Sequence, residues 1–157
     1  MKLEYKRASS NNLKEIQELN VKFFQNQYEY DKDIILDWPL SEEGTIYFKS
    51  IIENEVVYVV YDNAKIVGYL AGRYDKGNPY LNKKIAEVLL VFVDSEYRGN
   101  SIGSKLVDMF KKECNEKGIY NYNVGVYCEN LEGIKFWEKK GFDKRIDISL
   151  ACNEARE

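Results

Sequence analysis

The sequence predicts a single mixed α/β domain, with one central sheet flanked by helices. The chain has 157 residues and 45% of them are apolar, enough for one domain with a substantial core. The spacing of apolar residues switches repeatedly between the helical period and the strand period. Residues 86–94 are apolar on both faces, which is typical of a strand inside a sheet.

The N-terminal third predicts a strand followed by two helices. Residues 3–9 predict the strand, and residues 9–12 offer N-caps for the first helix. The apolar residues of that helix recur at helical spacing, namely Leu13, Ile16, Leu19, Phe23 and Phe24. This pattern breaks at the Trp-Pro pair of residues 38–39, and a weaker helical pattern resumes over residues 41–54.

The middle of the chain predicts strands. Residues 55–62 and 65–75 are rich in β-branched and aromatic residues and are separated by only two residues, so they predict an antiparallel hairpin. Residues 76–84 predict a polar loop or hairpin end. The strand of residues 86–94 follows.

The last third predicts two helices that alternate with strands. The first helix has one apolar face, formed by Ile102, Leu106, Met109 and Phe110. It should end at Gly118, before a strand over residues 122–128. A helix over residues 130–142 and a last strand over residues 143–152 complete the pattern, and residues 153–157 should fray. We therefore expect a mixed sheet of six to seven strands and about four helices.

Composition excludes several kinds of site. The chain has no histidine, which removes Ser-His-Asp machinery, histidine bases and metal sites built on imidazole. The cysteines Cys114, Cys128 and Cys152 show no CxxC spacing, so we expect no disulfide framework or zinc site, and reduced, buried thiols. No metal is predicted. Acid and base roles must fall to carboxylates, tyrosines, thiols, lysines or water.

Charge and hydropathy bear on partners and location. A net charge of −3 does not favour nucleic acid or an anionic membrane. No run of about 18 apolar residues exists, and residues 1–10 lack the apolar stretch of a signal peptide, so a cytoplasmic location is expected. Residues 31–55 hold seven acidic and two basic residues, whereas residues 98–145 hold ten basic and seven acidic. These runs suit a cationic and an anionic ligand, or simply solvated helix surfaces.

The turn after the central strand is a candidate anion site. Residues 98–103, RGNSIG, lead directly into a predicted helix, whose first N–H groups lack carbonyl partners and whose dipole favours negative charge. Phosphate is the natural ligand of such a turn, and Arg98 adds charged donors. By itself the turn is equally consistent with a tight strand-to-helix connection. It matches neither GxxxxGK[ST] nor GxGxxG, which disfavours an ordinary P-loop or Rossmann site.

A second segment completes a recognisable pair. Residues 130–142 begin a helix with asparagine and end in Lys-Gly-Phe. With the turn, they resemble the GNAT superfamily of acetyl-CoA-dependent N-acetyltransferases, over nearly the whole chain and in the same element order. That family carries an [RQ]xxGx[GA] turn and an NxxAxx[FL]YxxxGF helix. Here Ser101 replaces the middle glycine of the turn, and Gly133 and Trp137 stand at the alanine and tyrosine positions of the helix.

The resemblance implies an acyl-CoA N-acyltransferase-like fold as a single domain over residues 1–157, with acetyl-CoA as co-substrate and no metal. The pyrophosphate would lie on the amides of the turn. The pantetheine arm would pair with the central strand where it diverges from the next strand, and Asn130 would contact that arm from the far side. The implied cofactor-binding residues are Val91, Phe92, Val93, Arg98, Gly99, Asn100, Ser101, Ile102, Gly103, Ser104, Asn130 and Trp137. A positive φ at Ser101 would strain the turn.

The resemblance also suggests catalytic residues. Glu87 lies eleven residues before Arg98, a spacing similar to that of the base glutamate in histone-type members, and it is expected to accept the proton of the amine. The acid that many relatives take from the motif tyrosine is missing, because an indole cannot serve as an acid. Tyr127 is the expected substitute and Tyr97 a weaker one. The alternatives are an exposed strand glutamate, a half-buried strand tyrosine, and unassisted departure of the thiolate with protonation by water.

The expected reaction is acetyl transfer to a primary amine of a small molecule or a protein. The acidic run of residues 31–55 favours a cationic acceptor, and neither nucleic acid nor a membrane is an expected partner. The sequence leaves a homodimer open. Two other classes remain: a non-catalytic acyl-CoA-binding or sensing module of the same fold, and an unrelated phosphate-binding α/β protein.

Overall fold

The computed structural model describes residues 1–75, 79–145 and 147–155, which form a five-stranded sheet with helices on both faces. The strands are β1 (Leu3–Arg7), β2 (Val56–Asp62), β3 (Lys65–Arg73), β4 (Ile85–Val93) and β5 (Asn121–Val124). The α-helices are α1 (Leu13–Gln27), α2 (Glu42–Asn54), α3 (Ile102–Glu116) and α4 (Leu131–Lys139). Short 3-10 turns precede the first three helices, at Ser10–Asn12, Trp38–Leu40 and Ser95–Tyr97.

The strand order follows the chain, β1-β2-β3-β4-β5, and all neighbours are antiparallel except the parallel pair β4 and β5. The predicted β2–β3 hairpin is confirmed. Asn63 takes a φ of 55° in its two-residue turn, a conformation that asparagine tolerates better than most residues. β4 is an interior strand, as its two apolar faces predict, although β3 occupies the middle of the sheet.

Alternate side chains of the sheet enter two separate cores. On one face, α3 and α4 contribute Leu106, Phe110 and Trp137. On the other face, α1 and α2 contribute Ile16 and Phe48. Each large apolar side chain that is buried stabilises the fold by about 1.5–3 kcal/mol relative to exposure. The two cores hold the helices to opposite faces of one sheet, which confirms the predicted layered architecture.

The predicted strand over residues 143–152 is wrong for the part of it that the structure describes: residues 143–145 and 147–152 form no strand, and residue 146 lies outside the described residues. β5 also ends at Val124 instead of residue 128. Ile148 and Leu150 are 82% and 85% exposed. Alternating apolar residues mark a face that a sheet could bury, but a strand also needs a partner edge, and β5 offers only four residues. The described sheet therefore has five strands instead of six or seven.

The prediction of buried thiols is correct for one of the three cysteines. Cys114 is buried, and burial raises the pKa of its thiol to about 11, but Cys128 and Cys152 are exposed, so the expectation of buried thiols is wrong for both. The reason is that β5 stops before Cys128 and that Cys152 belongs to the segment without a strand.

Residues 76–78 of the predicted polar loop and residues 156–157 of the fraying end lie outside the described residues. None of the helices in the described residues has the length and apolarity needed to cross a membrane.

Candidate functional site

β4 and β5 lie side by side for only a short distance and then diverge. Their parallel ladder ends where Val88 lies opposite Val124. On its other edge β4 stays paired with β3 as far as Val93, with one irregularity of register at Leu89. Within the described residues, the backbone of β4 beyond Val88 therefore faces a gap on its β5 side. The predicted divergence before Val93 is present.

The turn between β4 and α3 lines this gap and takes an unusual backbone path. Gly99 and Ser101 both adopt left-handed conformations, with φ of 82° and 59°. A Cβ on Gly99 would meet nothing within 4 Å, so its φ is the reason why glycine suits this position. The Ser101 side chain makes no capping hydrogen bond to α3. The first amides of α3 thus begin beside the gap without a side-chain cap, an arrangement that can hold an anion.

Arg98 is fixed beside this turn by β4. Its Nε donates to the carbonyl of Val93 at 3.1 Å, and its guanidinium carbon lies 5.6 Å from the ring centroid of Phe92. Asn100 closes the turn, because its side-chain amide donates to the carbonyl of Tyr97 at 2.9 Å. The Val93 carbonyl is therefore already in use, although the sequence predicted the Val93 backbone as a partner for a bound ligand.

An ion pair holds the start of the turn to α1. Lys22 Nζ lies 2.7 Å from Asp94 Oδ2, and Asp94 is 3% exposed. The Asp94 backbone N–H donates to the carbonyl of Val67 at 2.9 Å. The hydrogen bond from Lys22 holds the pKa of Asp94 below its ordinary value, against the opposing effect of burial. α1 and β3 thus fix the residue from which the turn begins.

We expect Lys22→Met to lower the free energy of unfolding by about 1 kcal/mol at pH 7, because Lys22 is half exposed while the carboxylate that it leaves behind is buried. Since the pKa of Asp94 is depressed in the folded state, its ion pair stabilises the protein above the unfolded pKa of about 3.9 and is lost as the pH falls through the folded value. Urea denaturation at several pH values should show the difference between variant and wild type shrinking below about pH 4. A difference that stays constant down to pH 3 would show that the ion pair is not its source.

Asn130 caps α4 across the gap from the turn. Its Oδ1 accepts from the backbone N–H of Gly133 at 3.0 Å, so the predicted cap is confirmed. A Cβ on Gly133 would lie 2.9 Å from the Asn130 Cγ. Glycine at this position therefore leaves room for the capping side chain of Asn130. The alanine that the family motif has here would displace that side chain from its observed rotamer.

Trp137 lies between the core and the cleft. It is 9% exposed and packs edge-to-face against Phe136 and Phe142, with ring centroids 5.0 Å apart in each pair. It belongs to the core beneath α3 and α4 and also lines the gap. An indole here fills space and can donate one hydrogen bond, but it provides no acid.

Together these elements enclose a cleft of about 1300 Å³. Its walls are the end of α1, β4 from residue 88, the turn and first residues of α3, the end of β5, and α4. The cations in its described lining are Arg98, Lys139 and Lys140, and the carboxylates are Glu29 and Glu132. The arginine precedes α3 and both lysines lie at the end of α4. The cleft is therefore positive where α3 begins.

The sequence pointed to some of this lining and missed the rest. It predicted the β4 residues, the turn, Asn130 and Trp137, all of which line the cleft except Asn100. It missed the lysines at the end of α4, the C-terminal end of α1, which contributes Phe23, Phe24 and Gln27, and Tyr30 just beyond that helix. The two adjacent lysines before Gly141 were a sequence signal for the part of the lining that α4 contributes. The α1 residues gave none, since they follow an ordinary helical pattern.

Glu87 lies on β4 just before the cleft lining begins. Its side chain is exposed and is not part of that lining. Ala86 and Val88 face the α3 side of the sheet, so Glu87 points to the side that carries α1 and α2. It is opposite Arg73, whose Nε forms an ion pair with Glu55 at 2.9 Å. Among the described residues, no group of three or more His, Cys, Asp or Glu side chains is placed to hold a metal ion.

The two candidate tyrosines both bind carboxylates. Tyr127 lines the cleft, stacks on Tyr30 with centroids 5.7 Å apart, and donates to Asp31 Oδ2 at 3.4 Å. Burial, and then the Asp31 charge, raise the pKa of Tyr127, so it is a weaker acid than an ordinary tyrosine. Tyr97 donates to Asp62 at 2.8 Å, and that hydrogen bond raises the pKa of Tyr97. The Tyr30–Tyr127 contact closes the cleft on the α1 side.

Comparison with known proteins gives relatives in sequence and in structure. An uncharacterized N-acetyltransferase of Methanocaldococcus jannaschii is 27% identical over 101 residues, which are 63% of this chain and 45% of that protein. The chain thus matches less than half the length of this curated relative. The predicted acetyltransferase of Clostridium acetobutylicum, solved with acetyl-CoA, has a TM-score of 0.75 at 20% identity, covering 97% of this chain and 96% of that one. AAC(6')-Iy, solved with the bisubstrate analog CoA-S-monomethyl-acetylneamine, has a TM-score of 0.73 at 12% identity, covering 99% and 100%.

At these identities the structural likeness establishes the fold. The family follows from the sequence model of the Acetyltransferase (GNAT) family, which matches residues 13–142 and so covers most of the chain. That match includes α1, the diverging strands, the turn with its two left-handed residues, and α4 with its asparagine cap. The chain belongs to the GNAT acetyltransferase family.

Proposed function

We propose that this protein transfers the acetyl group of acetyl-CoA to a primary amine, on a small molecule or a protein, by direct attack of the amine on the thioester. The observation that carries this proposal is the divergence of β4 and β5 after Val88, directly beside the uncapped start of α3. The turn offers amides for a diphosphate, and the edge of β4 offers backbone groups for an extended arm. Two proteins of the same fold, solved with acetyl-CoA or a CoA bisubstrate analog, support the assignment.

The reaction requires a proton to leave the amine. A lysine-type amine has a reference pKa of about 10.4, so it is protonated at neutral pH and cannot attack. In our proposal the neutral nitrogen forms a bond to the thioester carbonyl carbon, the carbon–sulfur bond breaks, and the electron pair leaves with the CoA thiolate. The nitrogen becomes positively charged as it attacks, and it loses its second proton to water when the amide forms. Glu87 takes the proton through water, because its exposed side chain lies outside the cleft lining. A backbone N–H of β4 near the bulge would stabilise the oxyanion.

Departure of the thiolate needs little help, since a thiol has a pKa of about 8.5. We propose Tyr127 as the donor within reach of the cleft, because Trp137 occupies the position of the usual tyrosine. The raised pKa of Tyr127 limits how much it can contribute. Protonation of the thiolate by water is the simpler route, and it needs no side chain.

The α1 end of the cleft favours a cationic acceptor. Glu29 lines it, and Asp31 lies at its rim beside the stacked tyrosines. Part of the remaining negative charge of residues 31–55 has structural uses: Glu43 lies in the first turn of α2, and Glu55 pairs with Arg73. These residues reduce the part of the acidic run that is available to attract an amine.

The experiment is an acetylation assay with acetyl-CoA and a panel of cationic, neutral and anionic acceptors at two ionic strengths. We expect turnover of cationic amines that weakens with added salt, and a kcat about tenfold lower in Glu87→Gln, below the usual contribution of a base in direct contact. A sensing module would instead be stabilised by acetyl-CoA and acetylate none of the panel. Turnover of only anionic or uncharged acceptors would contradict the proposed acceptor class.

A further inference from the structure

The cleft carries more positive charge than a diphosphate on the turn requires. Arg98 is bound to β4 through the Val93 carbonyl, so it serves the β4 side of the α3 N-terminus. Lys139 and Lys140 line the same cleft from α4. Cationic side chains from two different parts of the chain therefore flank the start of α3. A diphosphate held by the amides of the turn and by Arg98 would give the two lysines of the α4 side no anion to bind.

Lys140 is held in place more firmly than a surface lysine. Its side chain is 14% exposed, and its Nζ donates to Ser104 Oγ at 2.9 Å and forms an ion pair with Asp108. Lys111 Nζ donates to the Lys140 carbonyl, which ties the end of α4 to α3. Ser104 is the third residue of α3. The Lys140 ammonium therefore lies within one turn of the proposed diphosphate seat.

Resting on the proposed function, we propose that Lys140, together with the Ser104 hydroxyl and Lys139, binds the 3′-phosphate of CoA. This phosphate and the diphosphate are attached to the same ribose, so a site for the second must lie close to the site for the first. The phosphate carries close to two negative charges and several acceptor oxygens, which match an ammonium and a neighbouring hydroxyl. Lys140 would thereby make the protein distinguish CoA from its 3′-dephospho form.

Removal of the Asp108 charge should strengthen CoA binding, whereas removal of the Lys140 charge should weaken it. Its carboxylate pairs with Lys140 and is 62% exposed, so it competes with an incoming phosphate for the same ammonium. Removing the Asp108 charge should make Lys140 more available to a 3′-phosphate. It should not change the affinity for a ligand that lacks this phosphate.

The experiment measures the Kd of CoA and of 3′-dephospho-CoA by isothermal titration calorimetry. We expect the wild type to bind CoA at least about tenfold more tightly than dephospho-CoA, the size of effect that one charged contact gives. Lys140→Met should bring the two Kd values within about twofold by weakening only CoA binding, whereas Asp108→Asn should tighten only CoA binding. Lys49→Met, an exposed lysine of α2 on the opposite face of the sheet, is the matched control for a lost positive charge.

The outcomes separate this inference from the proposed function. Equal Kd values for the two ligands in the wild type would overturn the 3′-phosphate site and leave acetyl transfer standing. Failure to bind either ligand would overturn the proposed function and this inference with it. If Lys140→Met folds poorly, Asp108→Asn still tests the 3′-phosphate site. Tighter binding of CoA alone supports the site. Two Kd values that are unchanged, or that change by the same factor, refute it.

Discussion

Replacing Ser101 with aspartate is expected to weaken acetyl-CoA binding about 100-fold, because a carboxylate would then stand at the entrance to the proposed diphosphate seat. At 4 Å, two like charges repel by about 1 kcal/mol in water and by about 4 kcal/mol near a protein surface, and the diphosphate carries two charges. Ser101 is exposed, so we take a value near the lower part of that range.

The fold should tolerate this substitution well. Aspartate adopts left-handed φ more readily than most residues, and a negative charge favours a helix N-terminus. The thermal midpoint of Ser101→Asp without ligand should therefore equal or exceed that of the wild type.

Ser101→Asn is the matched control, since asparagine has the same shape and the same tolerance of left-handed φ but no charge. Its Kd for acetyl-CoA, measured by calorimetry, should stay within about threefold of the wild type. An equal loss of affinity in both variants would indicate a steric cause. Wild-type affinity in Ser101→Asp would show that no anion binds at this turn.

Replacing Gly72 with alanine is expected to lower the free energy of unfolding by about 3 kcal/mol. Gly72 is on β3, and a Cβ there would lie 2.6 Å from Cζ and 2.9 Å from Cδ1 of Phe110, distances far shorter than a normal contact. Phe110 is fully buried, so its ring has no free space to enter. Phe110 packs α3 against the sheet. Displacement of its ring by the new methyl group should therefore also move the start of α3 and weaken acetyl-CoA binding.

A double-mutant cycle with Phe110→Leu tests this cause directly. The smaller side chain alone should cost about 1.5 kcal/mol through lost packing. In the double variant leucine gives the new methyl group room, so the total loss should fall short of the sum by at least about 1 kcal/mol. Urea denaturation of the four proteins measures this coupling. Simple additivity would show that the close approach of Gly72 and Phe110 is not what limits the substitution.

The features that could be predicted from the sequence are those set by local rules. The two apolar faces of residues 86–94 indicated an interior strand, and β4 is one. The asparagine at residue 130 indicated a helix cap, and it caps α4. The glycine-containing turn after β4 indicated an uncapped helix start beside the sheet, and the structure has this arrangement. In each case the chemistry of a few neighbouring residues favours one kind of local structure.

The features that could not be predicted depend on partners distant in sequence. Residues 147–152 have the alternation of a strand, but β5 ends at Val124 and gives them no edge within the described residues. The adjacent lysines at residues 139–140 are visible in the sequence, but the contacts of Lys140 with Ser104 and Asp108 join α4 to α3 and could not be predicted from it. The sequence left the sign of φ at Ser101 open, and the fold makes it positive.

By itself, the sequence determined the layered architecture, the order of the elements from β1 to α4 and the two motifs that place this chain in its family. Hydrophobic period, turn residues and helix caps act over a few residues, so they can be recognised without a fold. The tertiary structure alone decided where β4 and β5 separate, which side chains line the cleft, and that its positive charge gathers where α3 begins. Those features arise from backbone and side-chain groups that are far apart in the chain and that only packing brings together.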